Sequence, residues 1–272
     1  MSKEDTDSSQ PLNTLAKGVV DGTGSFLGRI CLPAAEEFGL LLRDKVKHWR
    51  NKNFIKITND AEKLISEKRN ESTPNIHPRI LHSIYENGSW SEEEEIQKMW
   101  SGLFASSCYE DGSDRSIFYV DILSKISKNE ATIFNYVCKS SEWRITISEN
   151  LVEALPVFTE PNKLKSITKI DNFEDIEESI SHLQFLGLIT HVTDLSNSKQ
   201  DHYDSVETDA FDSDYSGKDG LWHNYVELSL TSLGIRLFLK AQGIEKRPSE
   251  YFKDKVPVSD DKEDFFYDMW EY

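Results

Sequence analysis

One segment, residues 34–68, constrains the fold more than any other part of this 272-residue chain. It contains no proline and a single glycine, Gly39. Its apolar residues recur at helical spacing in two sets: Phe38, Leu42, Val46 and Trp49, then Phe54, Ile57, Ala61 and Leu64. Because the two sets are offset by one residue, we predict one long helix from about Ala34 to Lys68 with a bend or phase slip near Asn51–Asn53. We expect Trp49 to face the core with the rest of the apolar stripe.

The same segment carries the basic cluster of the chain. Its members are Arg43, Lys45, Lys47, Arg50, Lys52 and Lys56, with Asp44 as the one acid among them. Two interpretations remain open. The cluster is either a solvated face that pairs with acidic helices of the same protein, which so acidic a chain favours, or the binding site of an anionic partner such as a membrane surface, a nucleic acid or an acidic protein.

Composition and charge exclude several classes of protein. A net charge of −17 argues against general nucleic-acid binding, because phosphates would repel the chain as a whole. The three cysteines, Cys31, Cys108 and Cys138, are widely spaced and predict reduced thiols in a cytosolic protein. The first ten residues are acidic and polar, unlike a signal peptide, and no apolar run approaches the ~18 residues of a membrane span. We therefore expect a cytoplasmic protein.

The second half of the sequence changes character. Apolar residues at helical spacing, Phe173, Ile176, Ile180 and Leu183, predict a helix that ends at Gly187. Residues 188–192 and 225–230 are predicted strands, and residues 233–241 a closing helix. This order is that of a winged helix-turn-helix. The predicted fold class is therefore mainly α: a long helix plus a helical region, followed by a C-terminal winged-helix-like α+β module.

Four regions follow from this pattern. We predict a disordered tail at residues 1–13, a helical domain at 14–112, a winged-helix-like domain at 113–242 with an acidic insert at 194–220, and an acidic–aromatic tail at 243–272. Many winged helices place the helix before the wing in the major groove of DNA. Here that helix has five acids around it and no Lys or Arg, and the insert has eight acids against two lysines. We therefore expect protein contacts and no direct DNA binding.

No catalytic or metal-binding motif is found in the sequence. There is no nucleophile elbow, no phosphate-binding loop and no HExxH pair, and the seven histidines share no metal-ligand spacing. We predict a protein without enzymatic activity, cofactor or metal. In the C-terminal tail, aromatic residues alternate with acids and form candidate partner-binding positions: Phe265, Phe266, Tyr267 and Trp270. This tail either docks on a basic, apolar groove or packs on its own domain.

The order of several short blocks resembles one family. The blocks are residues 33–39, 78–81, 100–107, 118–131, 183–190 and 230–234. Together they resemble the Abi-alpha family, bacterial proteins associated with abortive infection against bacteriophage, over roughly residues 30–242. The resemblance implies phage defence, and it supplies no catalytic residues.

Two hypotheses of function follow. In the first, the protein is a non-enzymatic interaction or sensor component of phage defence, with a protein partner or homo-oligomerisation. In the second, it is a membrane-associated effector, peripheral to the inner membrane, that uses the basic helix and the glycine-rich segment of residues 15–32. The glycine-rich segment is more simply an amphipathic segment packed on the protein, because Lys17, Asp21 and Arg29 interrupt it.

Overall fold

The structure is a computed structural model that describes Phe26 and residues 48–67, 73–146, 151–191 and 225–259. In chain order the described elements are α1 (His48–Glu67), α2 (Pro78–Gly88), α3 (Glu94–Ser107), α4 (Ile117–Leu123), α5 (Lys128–Ser140), β1 (Trp143–Thr146), β2 (Leu151–Ala154), β3 (Val157–Thr159), α6 (Pro161–Thr168), α7 (Phe173–Phe185), β4 (Ile189–His191), β5 (Val226–Leu230), α8 (Ser232–Ala241), α9 (Pro248–Phe252) and β6 (Val258–Ser259). The predicted fold class is confirmed, because helices dominate and short strands occur in the C-terminal half.

The chain divides into two compact units. The first contains residues 1–128 and 236–248, and the second contains residues 129–235 and 249–272. The first unit therefore includes α4 and the end of α8, which the predicted boundaries at 112 and 242 assign to the second domain. The acidic insert at 194–220, the predicted tail at 1–13 and the predicted start of the long helix lie outside the described residues. Of the predicted tail at 243–272, residues 243–259 are described and contain α9 and β6, and residues 260–272 lie outside the described part.

Helix α1 packs its apolar face on α3 in the first unit. Phe54, Ile57 and Ala61 are fully buried, as their helical spacing predicted. The prediction for Trp49 was wrong, because its side chain is 39% exposed. Counting back from Phe54 by one helical turn leads to Arg50, which is 8% exposed and occupies the core position. The one-residue offset in the sequence therefore marks where an arginine replaces an apolar residue in the buried stripe.

Helix α3 supplies the centre of the first unit. Trp100, Leu103 and Phe104 are almost completely buried. Gly102 lies against the end of α8, where a Cβ atom would stand 1.8 Å from the carbonyl oxygen of Ala241. Only a residue without a side chain permits this approach of two backbones. The α3–α8 contact within the first unit therefore depends on Gly102.

The second unit contains two three-stranded sheets. In one, the strand order is β2-β1-β6, with β1 antiparallel to β2 and parallel to β6. In the other, β5 lies between β3 and β4 and is antiparallel to both. The predicted strands at 188–192 and 225–230 correspond to β4 and β5, and the helix predicted to end at Gly187 is α7. Gly187 has φ of +72°, the left-handed geometry that glycine favours at a helix end.

Candidate interaction surfaces

Helix α7 presents an acidic face with an exposed phenylalanine at its end. Asn172 starts the helix, since its side chain accepts a hydrogen bond from the backbone nitrogen of Glu174 at 3.1 Å. One side of α7 is buried through Ile176, Ile180 and Leu183. The exposed positions of the helix include Glu174, Asp175, Glu178, Ser181, Gln184 and Phe185. Phe185 is 85% exposed. We call Glu174, Asp175, Glu178 and Phe185 the α7 face.

A partly buried contact holds α7 in position within the second unit. His182 Nδ1 lies 2.5 Å from Oε1 of Glu130 on α5, and the Glu130 side chain is almost completely buried. The ring of Phe185 stacks on that of His182 at 6.4 Å. Phe185 is thus supported from one side and open to solvent on the other. An exposed, supported aromatic ring is a common centre of a protein contact.

The structure separates the members of the basic cluster. Lys52 and Lys56 are exposed on α1, and Arg43, Lys45 and Lys47 lie outside the described residues. Arg50 is buried. Its Nε donates to Ser89 Oγ at 2.8 Å and its Nη2 to the Glu86 carbonyl oxygen at 3.1 Å. Arg50 is therefore used inside the first unit, so Lys52 and Lys56 are the described members that face solvent.

Carboxylates of α3 lie close to the exposed lysines. Glu94 hydrogen-bonds Lys98 at 2.7 Å. That hydrogen bond, followed by the charges of Lys98 and Lys56, lowers the pKa of the Glu94 carboxyl below its usual value. The surface beside α1 thus carries both signs of charge. This mixture agrees with the interpretation that the basic helix pairs with acidic helices of the same protein.

A pair of tryptophans lies next to the lysines and was missed by the sequence analysis. Trp90 is 60% exposed, and its ring centroid lies 5.8 Å from that of Trp49. The Arg50 guanidinium lies 4.5 Å from the Trp90 centroid on the protein side, and Trp49 Nε1 donates to a Glu92 carboxylate oxygen. One feature of the sequence could have indicated this pair: Trp90 lies in the polar turn of residues 88–91, and apolar residues are uncommon in such turns. We call Trp49, Trp90, Glu92, Lys52 and Lys56 the tryptophan surface.

The predicted tail residues Phe265, Phe266, Tyr267 and Trp270 lie outside the described residues. In the second unit an open groove of about 310 Å³ runs between β2 and the end of β5, with Glu153 as its one charged lining residue.

Within the described residues no group of three His, Cys, Asp or Glu side chains could hold a metal ion. None of the helices described is long and apolar enough to cross a membrane.

The sequence profile of abortive infection alpha proteins matches residues 50–241, from the first described turns of α1 to the end of α8. The chain belongs to the abortive infection alpha family. The predicted resemblance is therefore confirmed, and the family associates the chain with defence against bacteriophage. No curated protein and no solved structure matches the chain.

Some of the blocks that carry the abortive infection alpha resemblance contain buried packing positions. Residues 101–107 are all buried in α3. In the second unit, Gly234 lies against Leu188, whose carbonyl oxygen would be 2.1 Å from an added Cβ. These two positions belong to the blocks 230–234 and 183–190. The family blocks therefore include core positions as well as exposed ones such as Phe185 of the α7 face.

Proposed function

We propose that this member of the abortive infection alpha family is a non-enzymatic interaction or sensor component of phage defence that acts through protein contacts. The α7 face carries the proposal. It combines three exposed carboxylates with an 85% exposed phenylalanine on a helix that a partly buried His182–Glu130 contact holds in place. Such a face suits a partner protein with basic residues around an apolar pocket.

The arrangement around α7 supports a winged-helix-like module. Helix α5 is followed by strands β1 and β2 of the other sheet. Strand β3, helices α6 and α7, and strands β4 and β5 come next, with β5 in the middle of their sheet. In DNA-binding proteins of this type, the helix in the position of α7 enters the major groove. Here its exposed carboxylates would meet phosphate, so this helix is suited to a protein surface.

A charge-reversal variant tests the proposal. Glu174→Lys/Glu178→Lys should fold like the parent, since both side chains are exposed, and should lose protection against phage in a plaque assay. A matched control, Glu67→Lys/Asp121→Lys, changes two exposed carboxylates outside α7 and shifts the net charge equally. We expect the control to protect like the parent.

The same proteins should be titrated with labelled duplex DNA at physiological salt. We expect no binding by the parent. Tight binding of DNA by the parent, or full protection by Glu174→Lys/Glu178→Lys, would remove the α7 face as a protein contact.

A membrane-associated effector is the second candidate, and the exposure of Lys52 and Lys56 supports it. At ~1 kcal/mol per basic residue near anionic lipid, the two contribute about 2 kcal/mol, so binding would be weak and reversible. Flotation with anionic vesicles at low salt compares the parent with Lys45→Glu/Lys52→Glu/Lys56→Glu. The effector hypothesis requires that the parent bind and that the variant not bind; equal behaviour of the two would remove it.

A further inference from the structure

We draw no further inference here: the strongest candidate, the exposed tryptophan surface between α1 and the α2–α3 turn, carries none, because Glu92 binds Trp49 of the same chain and nothing in the structure shows what covers the two rings.

Discussion

At the scale of single residues, a close approach of two backbones in the first unit depends on the missing side chain of Gly102. An added Cβ would lie 1.8 Å from Ala241 O and 2.3 Å from Ala241 C. Both atoms belong to the backbone of α8, so they cannot turn aside as a flexible side chain would. Ser106 Oγ donates to the carbonyl oxygen of Lys240 at 3.2 Å, which holds the two helices together at the same place.

We therefore predict that Gly102→Ala lowers the free energy of unfolding by about 3 kcal/mol, the usual upper range for an overpacked core. Urea denaturation followed by circular dichroism measures the loss. Lys98→Ala, an exposed position on the same helix, should change stability by less than about 0.5 kcal/mol. A Gly102→Ala protein as stable as the parent would mean that α3 and α8 do not approach this closely in solution.

The thiols of Cys108 and Cys138 give a second residue-scale prediction. Both are buried, and burial raises the pKa of the Cys138 thiol well above its ordinary value. Because the thiolate is the reactive form, neither residue should be alkylated in the native protein at pH 8. Iodoacetamide labelling followed by peptide mass spectrometry should detect both only after unfolding in urea. Rapid labelling of Cys138 in the native protein would contradict its burial.

At the scale of elements, one ion pair ties the end of α8 to the α3–α4 connection. Lys240 binds Glu110, and their side chains are 11% and 12% exposed. Glu110 also accepts a hydrogen bond from Ser116 Oγ at 2.9 Å. A buried pair of this kind stabilises little relative to apolar residues, but removal of one partner leaves the other charge buried and unpaired.

Lys240→Met should therefore destabilise the protein by about 3–5 kcal/mol, and the double variant Lys240→Met/Glu110→Leu should regain much of that loss. Thermal and urea unfolding of the two variants and the parent supply the comparison. Equal stability of the single and double variants would show that the Glu110 carboxylate finds water once Lys240 is gone.

Helix α1 shows how an element can be predicted correctly while its orientation is partly wrong. Helical spacing identified the element and placed Phe54, Ile57 and Ala61 in the core. The same spacing led us to predict that Trp49 is buried, because tryptophan is apolar and the neighbouring Arg50 is charged. In the folded protein Arg50 occupies the buried position, since Ser89 and the Glu86 carbonyl accept its hydrogen bonds and Trp90 covers its guanidinium. Acceptors 36 to 39 residues away are not visible in a local pattern.

At the scale of the whole molecule, a net charge of −17 is distributed unevenly. Some of the acidic residues lie on the α7 face. Others lie in the C-terminal segment 260–272, in which carboxylates alternate with aromatic residues. Segments of this composition are suited to docking on a basic, apolar groove. Their aromatic side chains supply contact area and their charges select the partner.

Deletion of Lys262–Tyr272 should therefore leave the melting temperature within about 2 °C of the parent and reduce protection in the plaque assay. A full-length control, Asp264→Asn/Asp268→Asn, keeps the aromatic residues and separates the contribution of charge. A large drop in melting temperature after the deletion would show instead that the segment packs on its own domain.

The sequence by itself determined the family, the mainly helical class and the existence of α1, α7, β4 and β5, because these depend on local periodicity, a glycine helix stop and the order of short blocks. It also located the acidic helix whose exposed carboxylates argue against DNA. Only the tertiary structure decided that Arg50 is buried, that Trp49 and Trp90 meet, and that Gly102 admits the backbone of Ala241. Each of these joins residues at least 36 positions apart, or depends on such a contact, and periodicity within one helix carries no information about what packs against it.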